Sequence, residues 1–280
     1  MSAPFTSYAI LGAGGVGGVV TDELLKKNLK VTILTRDDTK ADLQDFKSRG
    51  AVLAKVDYDD RESLKKALTG VEAVVSAVGP FALGLQIEVV HAAKEAGVQL
   101  FVPAEYGVYV TDGLNGQKKE VQDLLKRLDL PYTVFYTGLF YEFAPFTLSH
   151  NWTEGKVTIV GDGKTKFSLT KRDDVGKFVA HVVSTASKDD LKWVKIPFEG
   201  DRKTPLEIVE IAEKKLGKKI DITFVDYEEN KKNYLTDFNS FLNTLFADGR
   251  GVPGTEEEVA AAKAKYFPEW NPTPYEAVIN

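Results

Sequence analysis

The chain has 280 residues, 43% of them hydrophobic, which suffices for a full core in one large domain or in one with a smaller lobe attached. A net charge of −5 without a long basic run argues against nucleic acid, and Lys214-Lys215 and Lys218-Lys219 read as a solvated helix end. No cysteine is present, which removes disulfides, thiolate metal sites and cysteine nucleophiles, and the widely separated His91, His150 and His181 lack ligand spacing, so no metal is expected.

No apolar stretch approaches the ~20 residues of a membrane span, and Met1-Ser2-Ala3-Pro4-Phe5 does not read as a secretory signal, so cytoplasmic residence is the expectation. Tyr8, Ala9, Ile10 and Leu11 form an apolar run suited to a strand covered on both faces. It stops at Gly12-Ala13-Gly14-Gly15-Val16-Gly17-Gly18, and a helix follows over Val19 to Lys27 with Val20, Leu24 and Leu25 on one face. Val31 to Thr35 resumes a β-branched strand, so the unit is βαβ with a right-handed crossover.

Gly12, Gly14 and Gly17 satisfy G-x-G-x-x-G, and Gly12, Gly15 and Gly18 satisfy the G-x-x-G-x-x-G spacing of short-chain-dehydrogenase relatives. Either spacing supplies a tight turn, a bare backbone that a pyrophosphate can approach, and a helix start with unpaired N–H groups. Gly12, Gly14, Gly15, Val16, Gly17 and Gly18 are therefore candidate cofactor contacts. The next choice falls at the end of the second strand. Arg36, with Lys40 close behind, suits the 2′-phosphate of NADP(H), whereas Asp37 would serve the ribose of NAD, and the sequence favours NADP(H).

A helix over Ala41 to Arg49 and a third strand, Ala51 to Val56, lead to Asp57-Tyr58-Asp59-Asp60. Asp57 is placed to meet an adenine amino group, while Asp59 or Asp60 caps the helix Arg61 to Leu68. The fourth strand, Glu72 to Val78, enters Gly79-Pro80-Phe81, and its tip from Val78 through Gly79 to Phe81 should approach the ribose and nicotinamide. A helix over Leu85 to Glu95 feeds a fifth strand, Gln99 to Pro103, with Ala104-Glu105-Tyr106-Gly107 at its carboxyl end. After the turn at Gly113 to Gly116, a helix over Gln117 to Leu128 carries Lys118 near its start, and Tyr132 to Thr137 is a sixth strand. Five successive βα units predict an α/β fold, a Rossmann-type doubly wound parallel sheet.

Beyond about Ala144 the alternation loosens. A short strand within Gly155 to Gly163, a helix over Val175 to Thr185, a strand Trp193 to Phe198 returning to the sheet, a helix Pro205 to Leu216 and a strand Ile220 to Val225 read as a smaller α/β lobe. The expected division is a dinucleotide-binding domain over 1–150 and a substrate lobe over 151–280 rich in aromatic residues.

The glycine loop, Arg36, Asp57 to Asp60, Val102-Pro103-Ala104-Glu105-Tyr106-Gly107, Leu130-Pro131-Tyr132-Thr133 and Tyr266-Phe267-Pro268-Glu269-Trp270 together resemble the NmrA-like and isoflavone-reductase-like branch of atypical short-chain dehydrogenases, fungal members in particular. The resemblance implies an NADPH-dependent reductase delivering hydride to a carbonyl, enone or benzylic carbon of a small aromatic substrate. It implies Lys118 as the catalytic acid or base, since a partly desolvated amine beside a cationic nicotinamide suits proton transfer.

On the same footing Phe81, Thr137 and Gly138 would border the nicotinamide, and Tyr106, Tyr136, Phe140 and Tyr141 are pocket candidates. Ala104 departs from the serine of the plant reductases, which removes a substrate-orienting hydroxyl. Tyr227 and Lys231 have the Tyr-x-x-x-Lys spacing of mainstream short-chain dehydrogenases but lie far beyond the sixth strand and read as a decoy. A non-catalytic dinucleotide-sensing regulator and a redox-neutral isomerase or cyclase remain open alternatives, and the expected assembly is a monomer or homodimer.

Overall fold

The computed structural model describes residues 2–147 and 151–279. Its first strand, β1 (Ser7–Leu11), places Tyr8, Ala9, Ile10 and Leu11 at no more than 1% exposure, as an apolar run covered on both faces requires. Ile10 and Leu11 each contribute about 1.5–3 kcal/mol by leaving water. The glycine turn follows, then α1 (Gly15–Lys26), β2 (Lys30–Thr35), α2 (Ala41–Ser48), β3 (Val52–Lys55), α3 (Arg61–Ala67), β4 (Ala73–Ser76), α4 (Gln86–Glu95) and β5 (Leu100–Val102). Asp60 caps α3 by accepting from the N–H groups of Glu62 and Ser63, so the capping expectation resolves onto that residue.

These strands form a parallel five-stranded sheet in the order β3-β2-β1-β4-β5, the Rossmann-type order expected from the repeated βα units. Strand order reverses between β1 and β4, and the carboxyl ends of those two strands open the crevice in which such sheets bind ligands.

Next come α5 (Gly116–Arg127) and β6 (Thr133–Tyr136), which is tied to the sheet by a parallel bridge between Phe101 and Tyr132. The chain continues through β7 (Leu139–Phe140), α6 (Ala144–Thr147), β8 (Lys156–Val160), β9 (Phe167–Thr170), α7 (Arg172–Thr185), β10 (Val194–Pro197), β11 (Asp201–Lys203), α8 (Pro205–Leu216), β12 (Asp221–Val225), α9 (Tyr227–Lys231), α10 (Phe238–Ala247) and α11 (Glu256–Tyr266). β10 pairs with β6.

The chain separates into two units. The first comprises Met1–Glu105, Gln117–Phe135 and Val175–Ile196, and the second Tyr106–Gly116, Tyr136–Asp174 and Pro197–Asn280. The second unit has its own core, in which Phe167, Leu169, Ile208, Ala212 and Leu245 are fully buried. Its strands pair as β11-β9-β7 and β12-β8. Thr204 and Thr255 each close a capping box at the starts of α8 and α11, and Gly217 ends α8 in the left-handed conformation.

One ion pair in the first unit makes a pH-dependent contribution. Glu72 Oε2 accepts from the Thr6 N–H at 2.8 Å and the Thr6 hydroxyl at 2.9 Å, while Oε1 faces Lys188. Burial pushes this carboxyl up, but Lys188 and Thr6 together outweigh it and hold the group at about 2. Because the folded value lies below the unfolded one of about 4.3, the contribution is complete above that pH and fades as pH falls toward 2. Glu72→Gln should therefore cost about 1–2 kcal/mol at pH 7, after allowance for partial exposure, with the difference from wild type shrinking through the acid range in urea titrations.

Candidate functional site

The glycine turn is built on one close approach. Gly12 has φ of 90°, and a Cβ there would lie 3.0 Å from the Ala77 carbonyl oxygen at the end of β4. A Cβ on Gly17 would stand 2.0 Å from the Gly12 carbonyl oxygen, so α1 can pack this tightly on the turn only with glycine. A Cβ on Gly18 would come 3.1 Å from the Ala13 carbonyl oxygen. At Gly14 a Cβ would meet nothing within 4 Å, and Gly14 and Gly15 are exposed. Gly14 also serves as N-cap of α1 without any side chain to bond the first N–H groups, and Val16 is buried beneath. An exposed helix start without a side-chain cap, at a positive dipole end, fits a pyrophosphate.

At the end of β2 the two charged neighbours have different fates. Asp37 Oδ1 accepts from the Thr39 N–H at 2.9 Å and from the Thr39 hydroxyl at 2.6 Å, and these bonds hold its carboxyl below the usual carboxylate range. Arg36 is exposed, and among the described residues its side chain makes no hydrogen bond or ion pair. Lys40, the N-cap of α2, and Lys55, the last residue of β3, act on Asp37 through their charges. The parallel register sets Lys55 directly opposite Thr35, so Lys40 and Lys55 both act on Asp37, with Arg36 next to it in the chain. Lys55 escaped the sequence reading; only strand register brings it there. The arrangement suits a phosphate ester better than a ribose diol. Asp57 Oδ1 accepts from the Asp59 N–H at 3.0 Å, closing a local turn, and Tyr58 anchors it by donating to the Leu34 carbonyl at 2.9 Å.

The ends of β4 and β5 are joined through a buried amide. Val78 is half-buried, Gly79 is exposed, and Phe81, in the 3-10 turn Pro80–Leu85, is 99% exposed. Gln86, 1% exposed, donates to the Leu83 carbonyl at 3.2 Å and accepts from the Ala104 N–H at 2.8 Å. Ala104 precedes Glu105, whose carboxyl is almost fully buried. Gln122 of α5 donates to Glu105 Oε1 at 2.6 Å. Lys118, on the first turn of α5, donates to the Glu105 backbone carbonyl at 2.6 Å and lies 3.7 Å from Glu105 Oε2, with 14% of its side chain exposed. Its neighbour Lys119 is 55% exposed and pairs with Asp123. Burial pushes the Glu105 carboxyl up, against the pull of Lys118, Gln122 and Lys195. Gln86 and Gln122 left no signal in the sequence, since an amide inside a helix carries no periodic mark.

The remaining candidates lie in the second unit. Tyr106 follows Glu105 with φ of 37°, and burial pushes its phenol upward. Tyr136 is buried with its ring 4.0 Å from that of Tyr109. The Thr137 and Gly138 N–H groups donate to the Gly107 carbonyl at 2.8 and 3.0 Å. Gly138 has φ of 70°, and a Cβ there would lie 2.3 Å from the Ser168 carbonyl oxygen, so packing by itself demands glycine. Phe140 stacks on Phe143, over which Arg172 sits at 5.5 Å. Tyr141 donates to the Thr273 carbonyl at 2.8 Å, which commits its hydroxyl to the C-terminal segment. Lys231 lies over the Tyr227 ring within α9. Among the described residues no cluster of His, Asp and Glu could hold a metal, and no helix is long and apolar enough to cross a membrane. His150 lies outside the described residues.

The profile of the NmrA-like family matches residues 7–274. Isoflavone reductase homolog P3 of Arabidopsis thaliana is 29% identical over 245 residues, spanning 79% of this chain and 78% of its own. The structure of AtPrR2 with NADP+ and (+)pinoresinol superposes with a TM-score of 0.83 at 23% identity, covering 98% of both chains. The binary complex of leucoanthocyanidin reductase with NADPH from Vitis vinifera gives 0.83 at 20% identity over 97% of each. At such identities these two structures establish a shared fold. The expected fungal leaning is not borne out by these comparisons.

Three variants separate packing from binding in the first unit. Gly17→Ala should lose about 2–3 kcal/mol of stability, because the obstructing atom is backbone. Gly14→Ala should stay within about 0.5 kcal/mol of wild type yet weaken NADPH in calorimetric titration. Arg36→Ala should weaken NADPH by about 10–100-fold and leave NADH unchanged, the loss of one charge-assisted pair.

Proposed function

The chain belongs to the NmrA-like family, and from that premise we propose that it is an NADP(H)-dependent reductase acting on a small aromatic substrate at a carbonyl, enone or benzylic carbon. The observation that carries the reading is Lys118. In the same unit as the dinucleotide turn, one lysine is mostly withdrawn from water and held by two oxygens of a single residue, beside an ordinary solvated lysine.

The turn from Gly12 to Gly18 and the first N–H groups of α1 take the pyrophosphate, and Arg36 with Lys40 takes the 2′-phosphate. When bound, the reduced nicotinamide supplies the hydride. With a carbonyl substrate, the role of Lys118 Nζ would be to give a proton to the oxygen, the amine regaining its proton from solvent. With an enone the same proton goes to the oxygen on which negative charge develops, and with a benzylic ether to the oxygen released as the benzylic C–O bond breaks. An amine fixed before the substrate arrives spends little reorganisation on the transfer. The relatives that bear the names isoflavone reductase and phenylcoumaran benzylic ether reductase support an aromatic substrate.

Wild-type protein is to be screened with isoflavones, (+)-pinoresinol and simple aromatic enones, following NADPH absorbance and product mass. Lys118→Ala should lower kcat by about 100-fold or more while leaving the NADPH Kd within about threefold. NADPH binding that is equal to NAD binding, with no substrate consumed, would turn the reading toward a sensor. Product of unchanged mass formed without loss of NADPH would turn it toward redox-neutral chemistry.

A further inference from the structure

Glu105 is a buried carboxylate to which the reaction as described assigns no step. Burying a carboxylate is costly unless hydrogen bonds and opposite charge compensate it, and breaking such a group's pairing is more costly still. Compensation here comes from two elements: Gln122 and Lys118 of α5, and the charge of Lys195 on β10. Gln86 of α4 adds no charge but pins the preceding residue by accepting from the Ala104 N–H. The residue is thus fixed on both sides, and the amine it faces is the one assigned to proton transfer.

We propose that Glu105 is the positioning residue for Lys118, its backbone carbonyl and its carboxylate together holding the Nζ in one place while Gln122 holds the carboxylate. The carbonyl bond at 2.6 Å sets the distance of the amine from the end of β5. The carboxylate at 3.7 Å sets its direction and keeps it from swinging out to water as Lys119 does. The other carboxylate oxygen is occupied by Gln122, so Glu105 cannot turn to follow the lysine. This inference rests on the reading of Lys118 as the proton-transfer group, yet its test does not depend on any substrate.

Competitive acetylation with trace acetic anhydride at pH 8, read peptide by peptide in the mass spectrometer, reports how free each amine is. Lys119 serves as the internal control. Glu105→Gln, which preserves shape and removes charge, should raise acetylation of Lys118 about fivefold relative to Lys119. Glu105→Asp, which keeps the charge on a shorter arm, should fall between the two. Gln122→Met should raise the ratio about twofold by releasing the carboxylate, and it decides the matter if Glu105→Gln does not fold. An unchanged Lys118 to Lys119 ratio in the folded variants overturns the proposal. So does a rise shared by all lysines of the first unit, which would mean general loosening. Turnover of Lys118→Ala is a separate axis. If that variant keeps its activity while Glu105→Gln frees the amine, the catalytic reading falls and the positioning stands; an inactive Lys118→Ala with unchanged labelling does the reverse.

Discussion

The contact between Gly17 and the Gly12 carbonyl is the constraint from which the first unit is built. A helix that follows a buried strand this closely must present bare backbone where it crosses the turn, and a Cβ at 2.0 Å would drive the two apart. Gly12 in turn lies against Ala77, so the same turn fixes the spacing between the ends of β1 and β4. Those ends flank the point where strand order reverses, and the crevice opened there lies outside the carboxyl ends of the sheet. Packing and ligand approach therefore draw on different glycines of one loop: Gly12 and Gly17 are obligatory for the fold, and Gly14 is left open.

Charge is handled by occupation in the same unit. Asp37 is the residue that would read a ribose, but its Oδ1 already accepts from both Thr39 groups, and Lys40 and Lys55 add positive charge beside it. Glu105 shows the converse. Its carboxylate is buried at real electrostatic cost and is bound to α5 through two side chains, so the cost is offset only if those partners stay in place.

In the second unit, glycines again mark close approaches. Gly138 against Ser168 and Gly251 against Phe246 and Phe167 let short strands and helices pack without the continuous sheet that organises the first unit. Two of its tyrosines serve packing: Tyr141 and Tyr275 meet edge to face, and Tyr141 spends its hydroxyl on the Thr273 carbonyl. Phe140, Phe143 and Phe146 keep exposed or half-exposed ring surface.

By itself the sequence determined the βα repeat, the glycine turn and the helix carrying Lys118, and narrowed the cap of α3 to Asp59 or Asp60, because each depends on residues within a few positions of one another. Periodicity, turn chemistry and capping are local, so a run such as Tyr8 to Leu11 or the repeat of Val121, Leu124 and Leu125 declares its element without any partner. The short strands β7, β9 and β11 carried no such mark, being two to four residues long and stabilised by one another. Only tertiary structure decided that Lys55 lies beside Thr35 and that Gly138 is required by Ser168. It alone brought Glu105, Gln86, Lys118 and Gln122 together from three segments. Hydrogen bonds and charge pairs between distant residues leave no period in a sequence, and their energy depends on a distance that exists only after the chain has folded.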